Sequence, residues 1–300
     1  MTIIKKNDFI ESIANALQYI SYYHSEDFIL AMKRALEVER STAAKDAILQ
    51  ILTNSKLAAY GNCPICQDTG IVTVFIKQGM DLRWDSDKTI EEMVNQGVRN
   101  AYLDKGNPLR ASIVKNPISE RLNTKDNSPA VVHVSLVPGG DLDISIAAKG
   151  AGSENKAVLG MLNPSDNIVD FILGEIPKMG AGWCPPGVLG IGIGGTADKA
   201  MVMAKESLFE TIDIQELTKR GPSNKIERLR VELYEKINLL GIGAQGLGGL
   251  TTVLDVKIKD YPTHAASLPV AIIPNCAANR HIHFKMSGDG PVKLKPPNLE

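Results

Sequence analysis

The run Ile71-Val72-Thr73-Val74-Phe75-Ile76 decides the fold class of this chain of 300 residues. It is rich in β-branched residues and is bounded by Gly70 and Gly79, a pattern that predicts a short strand. Before it, residues 7–54 carry apolar side chains at helical spacing and predict a helical opening over 1–55. After it, helical and strand-like segments are mixed. The sequence therefore predicts a mixed α/β fold, with a helical N-terminal segment followed by an α/β domain.

The segments after this strand support the same fold class. Residues 130–137 and 142–148 are apolar or alternating, and Pro138-Gly139-Gly140-Asp141 separates them, which predicts a hairpin. Helical spacing recurs further along, and so do strand-like runs. The remaining predicted helices lie at 90–103, from Ser165 onward, at 197–209 and at 224–240, and the remaining strands lie at 251–258 and 268–273.

Composition excludes some classes of partner. Lys and Arg (33) nearly balance Asp and Glu (34), and no basic run occurs, so we expect neither nucleic acid nor an anionic membrane surface as a partner. No stretch approaches the roughly 20 apolar residues of a spanning helix. The first residues carry acidic and polar side chains where a signal peptide would be apolar. We therefore expect a cytoplasmic protein.

The C-terminal end has the composition of a linker. Gly288-Asp289-Gly290-Pro291 precedes a Pro-rich stretch, Lys295–Glu300. Such an end suits either a plain disordered terminus or a boundary to a second domain. The sequence predicts a catalytic domain over 1–290 and a tail over 291–300 that leads toward an absent C-terminal domain.

Four cysteines stand in turns rich in Gly, Pro or Asn. Cys63 and Cys66 share the stretch 61–70, whereas Cys184 and Cys276 each stand alone beside a predicted strand or helix. Buried structural cysteines more often sit inside apolar runs. Turns of this kind hold a thiolate at a fixed angle and offer backbone N–H groups to cluster sulfur.

Zinc is the first alternative for these thiols. Cys63-x-x-Cys66 would be half of a zinc site, and Cys276, His281 and His283 could complete it. The two histidines are two residues apart on a possible strand, however, so packing or hydrogen bonding explains them equally well. Three widely separated single cysteines suit an iron–sulfur cluster better than a compact zinc site.

Five longer motifs occur along the chain: Cys66–Gly70, Lys149–Lys156, Gly182–Gly187, Gly241–Gly249 and Asn275–His281. They resemble those of class I (iron–sulfur) fumarate hydratases, specifically the N-terminal, cluster-binding catalytic domain or α-subunit-like part. The resemblance covers nearly the whole chain. One departure is Ala151, where the loop of that family usually reads Gly-Gly-Gly.

The resemblance implies a [4Fe-4S] cluster bound by Cys66, Cys184 and Cys276, with Cys63 outside the ligand set. One iron would then lack a protein ligand and act as a Lewis acid. The implied activity is that of a hydro-lyase, the reversible hydration of fumarate to (S)-malate. The implied partners are a second copy in a homodimer and a C-terminal domain or β subunit, which would supply the group that takes the C3 proton.

The resemblance also implies roles for individual residues. Asp68 would be the general acid/base and Gln67 would orient the substrate. Arg110 would bind a carboxylate through its planar fork. An aspartate in a turn is otherwise usually a capping residue, and an arginine there usually a surface residue. A glycine-rich loop would form an anion cradle from Gly150, Ser153, Glu154, Asn155 and Lys156.

Three other functions compete with fumarase. The α subunit of L-tartrate dehydratase would use the same cluster, but the stretches 153–156 and 277–280 look more like fumarases. A dinucleotide-dependent oxidoreductase is suggested by Gly190-x-Gly192-x-x-Gly195, yet no room remains for the strand that should precede it. An inactive cluster-binding scaffold that awaits a partner is the third.

Overall fold

The computed structural model describes residues 2–297 of the chain. Residues 298–300 of the expected tail lie outside this range. The elements in chain order are β1 (Ile3–Lys5), α1 (Lys6–Tyr22), α2 (Glu26–Val38), α3 (Thr42–Gly61), β2 (Ile71–Gly79), β3 (Arg83–Asp85), α4 (Ile90–Tyr102), β4 (Val131–Val137), β5 (Leu142–Lys149), α5 (Ala151–Glu154), β6 (Val158–Leu162), α6 (Ile168–Met179), β7 (Gly187–Gly194), α7 (Ala197–Ser207), α8 (Ile214–Arg220), α9 (Lys225–Leu239), a 3-10 turn (Ala244–Gly246), β8 (Val253–Tyr261), β9 (Leu268–Asn275) and β10 (His281–Met286).

The chain forms two compact units, each with its own sheet and core. Unit 1 comprises Met1–Ser25, Ser55–Ala151 and Arg280–Glu300, and unit 2 comprises Glu26–Asn54 and Gly152–Asn279. The mixed α/β class predicted from the sequence is confirmed, because helices and mixed sheets occur in both. The boundary expected at residue 290 stays a prediction.

Unit 1 is built on a four-stranded sheet in the order β10-β5-β2-β4. The predicted strand at 71–76 is confirmed as β2, which pairs antiparallel with β5 and parallel with β4. The predicted hairpin between β4 and β5 is wrong, because β2 lies between them. Their connecting turn crosses the end of β2, where Gly79 offers no side chain: a β-carbon there would stand 2.3 Å from the carbonyl oxygen of Gly139.

The helical opening packs as its spacing predicts. Phe9, Ile13 and Ile20 of α1 are fully buried against the sheet of unit 1. Helix α3, however, continues six residues beyond the polar stop expected at Thr53-Asn54-Ser55. Ser55 is buried, and its hydroxyl lies 2.9 Å from Nδ1 of His24. A tertiary hydrogen bond thus satisfies a polar residue that would otherwise favour the end of a helix.

Unit 2 is built on a second four-stranded sheet, in the order β6-β9-β7-β8. One of its two inner strands, β7, contains Gly190 and Gly192. These are the first two glycines of the motif that suggested a dinucleotide-binding turn. A β-carbon at either position would stand 2.0 Å from a backbone oxygen of α7. These glycines therefore allow a helix to lie directly on the strand, and they are not in a loop that could cradle a pyrophosphate.

The loops with candidate chemistry gather at one end of each sheet. In unit 1, β2 begins at Ile71 opposite Lys149, the last residue of β5, and β10 begins at His281 opposite Ala147. In unit 2, Val188 near the start of β7 is opposite Asn275, the last residue of β9. Among the described helices, none combines the length and the apolar character that a membrane crossing requires.

Candidate active site

Asp68 is held in a fixed orientation by two backbone groups of unit 1. Its Oδ1 accepts a hydrogen bond of 3.0 Å from the N–H of Gly70, and its Oδ2 accepts one of 2.7 Å from the N–H of Ala151. The first contact is the capping interaction typical of aspartate in a turn. The second joins the turn to the glycine-rich loop, so the structure brings Asp68 and Gly150 together, as the predicted site requires.

Two glycines make this approach possible. Gly70 has a φ of 78°, and a β-carbon there would stand 2.7 Å from the carbonyl carbon of Lys149. A β-carbon on Gly150 would stand 2.9 Å from Oδ2 of Asp68. Ala151, where the family usually has glycine, is exposed, and its methyl group leaves the N–H free to reach Asp68.

Arg110 belongs to the same part of unit 1. The hydroxyl of Thr69, the residue after Asp68, donates to the carbonyl oxygen of Arg110, whose side chain is exposed. Asn127 is fully buried and ties the segments together: its Oδ1 accepts from the N–H of Ser112 (2.7 Å), and its Nδ2 donates to the carbonyl of Gly70 (3.1 Å). Gln67 is exposed, and its Oε1 accepts from Sγ of Cys66 at 3.3 Å.

A buried phenol lies next to this turn. The hydroxyl of Tyr102 donates to the carbonyl oxygen of Thr69 at 3.1 Å. Burial raises the pKa of Tyr102 to about 12, the charge of Arg280 and the hydrogen bond to Thr69 lower it, and the carboxylate of Asp68 raises it. The Tyr102 hydroxyl therefore stays protonated near neutral pH and acts as a donor.

In unit 2 the structure brings together the loops of Cys184 and Cys276. The N–H of Ala277 donates to the carbonyl oxygen of Cys184 at 3.0 Å. Cys184 has a φ of 56°, a left-handed conformation that is uncommon for any residue other than glycine. Such backbone strain persists only where the surroundings fix it, and it often marks a functional position.

The Gly241–Gly249 motif supports the Cys184 loop. The carbonyl oxygen of Pro185 accepts two hydrogen bonds of 2.7 Å, one from the backbone N–H of Gln245 and one from its side-chain Nε2. Gln245 itself has a φ of 54°. The sequence alone indicated no role for this motif. In the structure it fixes Pro185, the residue after the candidate cluster ligand Cys184.

The donors beside these cysteines fit an iron–sulfur group. Nε1 of Trp183, which is fully buried next to Cys184, has no hydrogen-bond partner among the described residues, and neither has Nδ2 of Asn279. Asn279 follows Cys276 closely, and its N–H donates to the Cys276 carbonyl at 3.0 Å. A buried N–H group without an acceptor is costly, and inorganic sulfide or thiolate would provide one.

None of the four cysteines forms a disulfide, and Cys63 and Cys184 are exposed. Within residues 2–297, no three His, Cys, Asp or Glu side chains are grouped closely enough to hold a single metal ion. His283, considered for zinc, pairs with Asp143 on the neighbouring strand β5, which is the hydrogen-bonding explanation weighed above.

The second part of the glycine-rich loop lies in unit 2. Ser153 is buried, Asn155 is exposed, and Glu154 forms an ion pair of 2.5 Å with Lys205. The Cε of Lys156 lies 2.9 Å from the position that a β-carbon on Gly182 would take, so this side chain lies over the start of the Cys184 loop. Lys156 is the member of this group best placed to bring a positive charge near Cys184.

The sequence did not identify Arg280, Asn127 or Gln245 as members of the site. Arg280 lies within a matched motif, and its side chain is buried, which no periodicity in the sequence indicates. Asn127 precedes β4 in a segment without any recognised motif. Both residues become visible only when strands distant in sequence are paired.

Comparisons with known proteins identify the family of this chain and several relatives. The family model for fumarate hydratase (Fumerase) matches residues 10–285. A putative L(+)-tartrate dehydratase subunit alpha from Methanocaldococcus jannaschii is 41% identical over 265 residues, which cover 86% of this chain and 90% of that protein. The anaerobic class I fumarate hydratase of Escherichia coli is 30% identical over 305 residues, covering 96% of this chain but 54% of that protein.

A third relative, the L(+)-tartrate dehydratase subunit alpha of Escherichia coli K12, is 28% identical over 281 residues, covering 91% of this chain and 89% of that protein. The family match extends over most of the chain and includes every candidate site residue. The relatives are fumarate hydratases and tartrate dehydratase subunits, which are hydro-lyases. The chain therefore belongs to the fumarate hydratase family of hydro-lyases.

Proposed function

We propose that this chain is the iron–sulfur catalytic part of a hydro-lyase that adds water to, or removes it from, a four-carbon dicarboxylate. The observation that carries the proposal is the geometry of Asp68. Its carboxylate is fixed by the N–H groups of Gly70 and Ala151, and it stands two residues from Cys66, one of the proposed cluster ligands. A fixed carboxylate beside an electrophilic centre suits proton transfer at a substrate hydroxyl.

The proposed cofactor is a [4Fe-4S] cluster held by Cys66, Cys184 and Cys276. When bound, such a cluster supplies Lewis acidity at the iron that no cysteine holds. The unpartnered N–H groups of Trp183 and Asn279 support this cofactor, since both donors stand close in sequence to proposed ligands.

The protein's own residues bind the substrate and move its proton. Arg110 would hold one carboxylate through its exposed guanidinium, and Gln67, also exposed, would orient the substrate. Asp68 would give a proton to the departing hydroxyl, or take one from water in the reverse direction. Gly150 and the residues 153–156 would face the substrate dianion, with Lys156 contributing positive charge.

Two substrates are candidates. The relative that is 41% identical is named as a subunit of L(+)-tartrate dehydratase, which supports removal of water from L(+)-tartrate. The motifs at 153–156 and 277–280 look more like those of fumarases, which supports fumarate and (S)-malate. The comparisons do not support the sequence-based preference for fumarate over tartrate, so we propose L(+)-tartrate first and fumarate second.

The proposed partners follow from the same relatives. Two of the named relatives are α subunits, which supports a β subunit or an equivalent C-terminal domain as the source of the remaining catalytic groups. We also propose a homodimer and a cytoplasmic location. Four cysteines without a disulfide suit a reducing compartment.

The test is anaerobic reconstitution of the chain, with the second subunit where activity needs one. We expect about four irons and four sulfides per chain, and turnover of L(+)-tartrate at a higher kcat/KM than (S)-malate. The variants Cys66→Ala, Cys184→Ala and Cys276→Ala should lose iron, whereas the matched control Cys63→Ala should keep it. Stoichiometric zinc, or turnover of neither substrate by the iron-loaded protein, would overturn the proposal.

A further inference from the structure

Arg280 occupies a position in unit 1 that the sheet fixes. Its carbonyl oxygen accepts a hydrogen bond of 3.1 Å from the N–H of Ala148, and the next residue, His281, begins β10 opposite Ala147. The arginine is therefore adjacent to the strand end that leads into Gly150. Its position depends on strand pairing and not on a mobile loop.

The Arg280 side chain is buried without a direct ion pair. The residue is 3% exposed, its Nε has no hydrogen-bond partner, and within residues 2–297 it forms no ion pair. Arg230 of unit 2, which is 9% exposed, is the internal contrast: it bonds Asp213 at 2.5 Å, Asp255 at 3.1 Å and the carbonyl of Val256 at 2.8 Å. A buried guanidinium is costly unless an anion pairs with it.

The guanidinium is directed at the space over Gly150. Its Nη2 lies 3.6 Å from the point that a β-carbon on Gly150 would occupy, and Oδ2 of Asp68 lies 2.9 Å from the same point. The electrostatic influence of both charges on Tyr102 agrees with this proximity. Oδ2 of Asp68 and Nη2 of Arg280 therefore both border the gap that the missing side chain of Gly150 leaves above its α-carbon.

We infer that Arg280 is a substrate-binding residue that holds one carboxylate of the dicarboxylate over Gly150, with the neighbouring carbon directed toward Asp68. This inference rests on the proposed function and adds a second cation to the exposed Arg110. The planar fork of arginine suits two parallel hydrogen bonds to a carboxylate. A bound carboxylate would supply the direct ion pair that the buried guanidinium lacks, and it explains why a side chain at position 150 would obstruct the site.

The test compares Arg280→Gln and Arg280→Lys with Arg230→Lys, a buried arginine outside the site. Binding of succinate, a four-carbon dicarboxylate without a hydroxyl group, is measured by calorimetry on the reconstituted protein, alongside KM and kcat for L(+)-tartrate and (S)-malate. Arg280→Gln should weaken succinate binding and raise KM by roughly tenfold to a hundredfold, since hydrogen bonds to charged groups contribute that much. Arg280→Lys should recover part of the loss, and Arg230→Lys should leave the affinity within about twofold of the wild type.

The outcomes separate this inference from the proposed function. A folded Arg280→Gln protein that binds succinate as the wild type does, or a wild type that binds no succinate, overturns the inference. Absence of turnover with succinate binding that still depends on Arg280 overturns only the proposed reaction. If Arg280→Gln does not fold, Gly150→Ala decides, because it closes the gap while Arg280 remains: unchanged succinate affinity would contradict the inference.

Discussion

The backbone N–H of Ala151 donates a 2.7 Å hydrogen bond to Oδ2 of Asp68, although 83 residues separate the two in sequence. The bond exists because β5, which ends at Lys149, pairs with β2, which begins one residue after Gly70. A motif beside a candidate cluster ligand and a glycine-rich loop thereby form one site in unit 1.

Asp68→Asn should remove most of the activity and leave the cluster in place. The amide keeps the shape of the carboxylate but cannot accept and return a proton, so kcat should fall by roughly 10²–10⁴. Iron content and thermal stability check that the fold and the cofactor survive. The control is Asp87→Asn, whose exposed carboxylate pairs with Lys6 and should affect activity little. Activity in Asp68→Asn above about a tenth of the wild type would remove Asp68 from the catalytic role.

Gly150→Ala should reduce activity more than stability. The new methyl group would stand 2.9 Å from Oδ2 of Asp68, so the carboxylate must move away from its two N–H donors. We expect kcat/KM to fall by at least about tenfold, since small displacements of a catalytic group are costly. The matched control is Gly174→Ala in α6, where the methyl meets open space and should stabilise the helix by about 0.5–1 kcal/mol. An equal kcat/KM in Gly150→Ala and Gly174→Ala would contradict the close approach of Asp68 to Gly150.

Gln245→Ala should make the cluster easier to lose. The substitution removes the side-chain hydrogen bond to the Pro185 carbonyl and keeps the backbone bond at the same oxygen. Because Pro185 follows Cys184, we expect faster loss of iron to a chelator, with activity restored after reloading. Gln50→Ala, which removes only a helix-surface bond to Asp46, is the control. If Gln245→Ala loses iron no faster than Gln50→Ala, the Gln245 side chain does not stabilise the Cys184 loop.

The buried charge network of unit 2 should make stability depend on pH. Burial alone would raise the pKa of Asp213, but hydrogen bonds and charges from Lys257 and Arg230 outweigh it and hold the pKa below its usual value. A carboxyl whose pKa is lower in the folded state contributes stability above the pKa of the unfolded chain, and that contribution is lost as pH falls toward the folded pKa. The free energy of unfolding should therefore fall as the pH drops below about 4, the ordinary pKa of an aspartate.

Asp213→Asn should weaken this dependence, and Asp46→Asn, at an exposed carboxylate on α3, should preserve it. Urea unfolding at several pH values measures the difference between each variant and the wild type. If the free energy of unfolding changes with pH as steeply in Asp213→Asn as in the wild type, Asp213 does not titrate as its contacts indicate.

Local sequence patterns predicted most elements and the identity of the cysteine loops. Helix α4 was expected at 90–103 and spans Ile90–Tyr102, and α9 begins after Asn224, which caps it through a bond to the N–H of Glu227. These features depend on residues within a few positions of one another. Strand β7 was not predicted, because its glycines have no local preference for a strand. They are explained only by their close contact with α7.

The sequence by itself determined the mixed α/β class, the family and the candidate residues Asp68 and Gly150, since these follow from local periodicity and from motifs read in order. Only the tertiary structure decided that β2 separates β4 from β5, that Ala151 reaches Asp68, and that the buried Arg280 lies close to Gly150. The physical reason is that strand pairing joins residues by backbone hydrogen bonds, which carry no side-chain signature in the chain. A charge buried without a partner is likewise recognisable only when every neighbour within hydrogen-bonding distance is known.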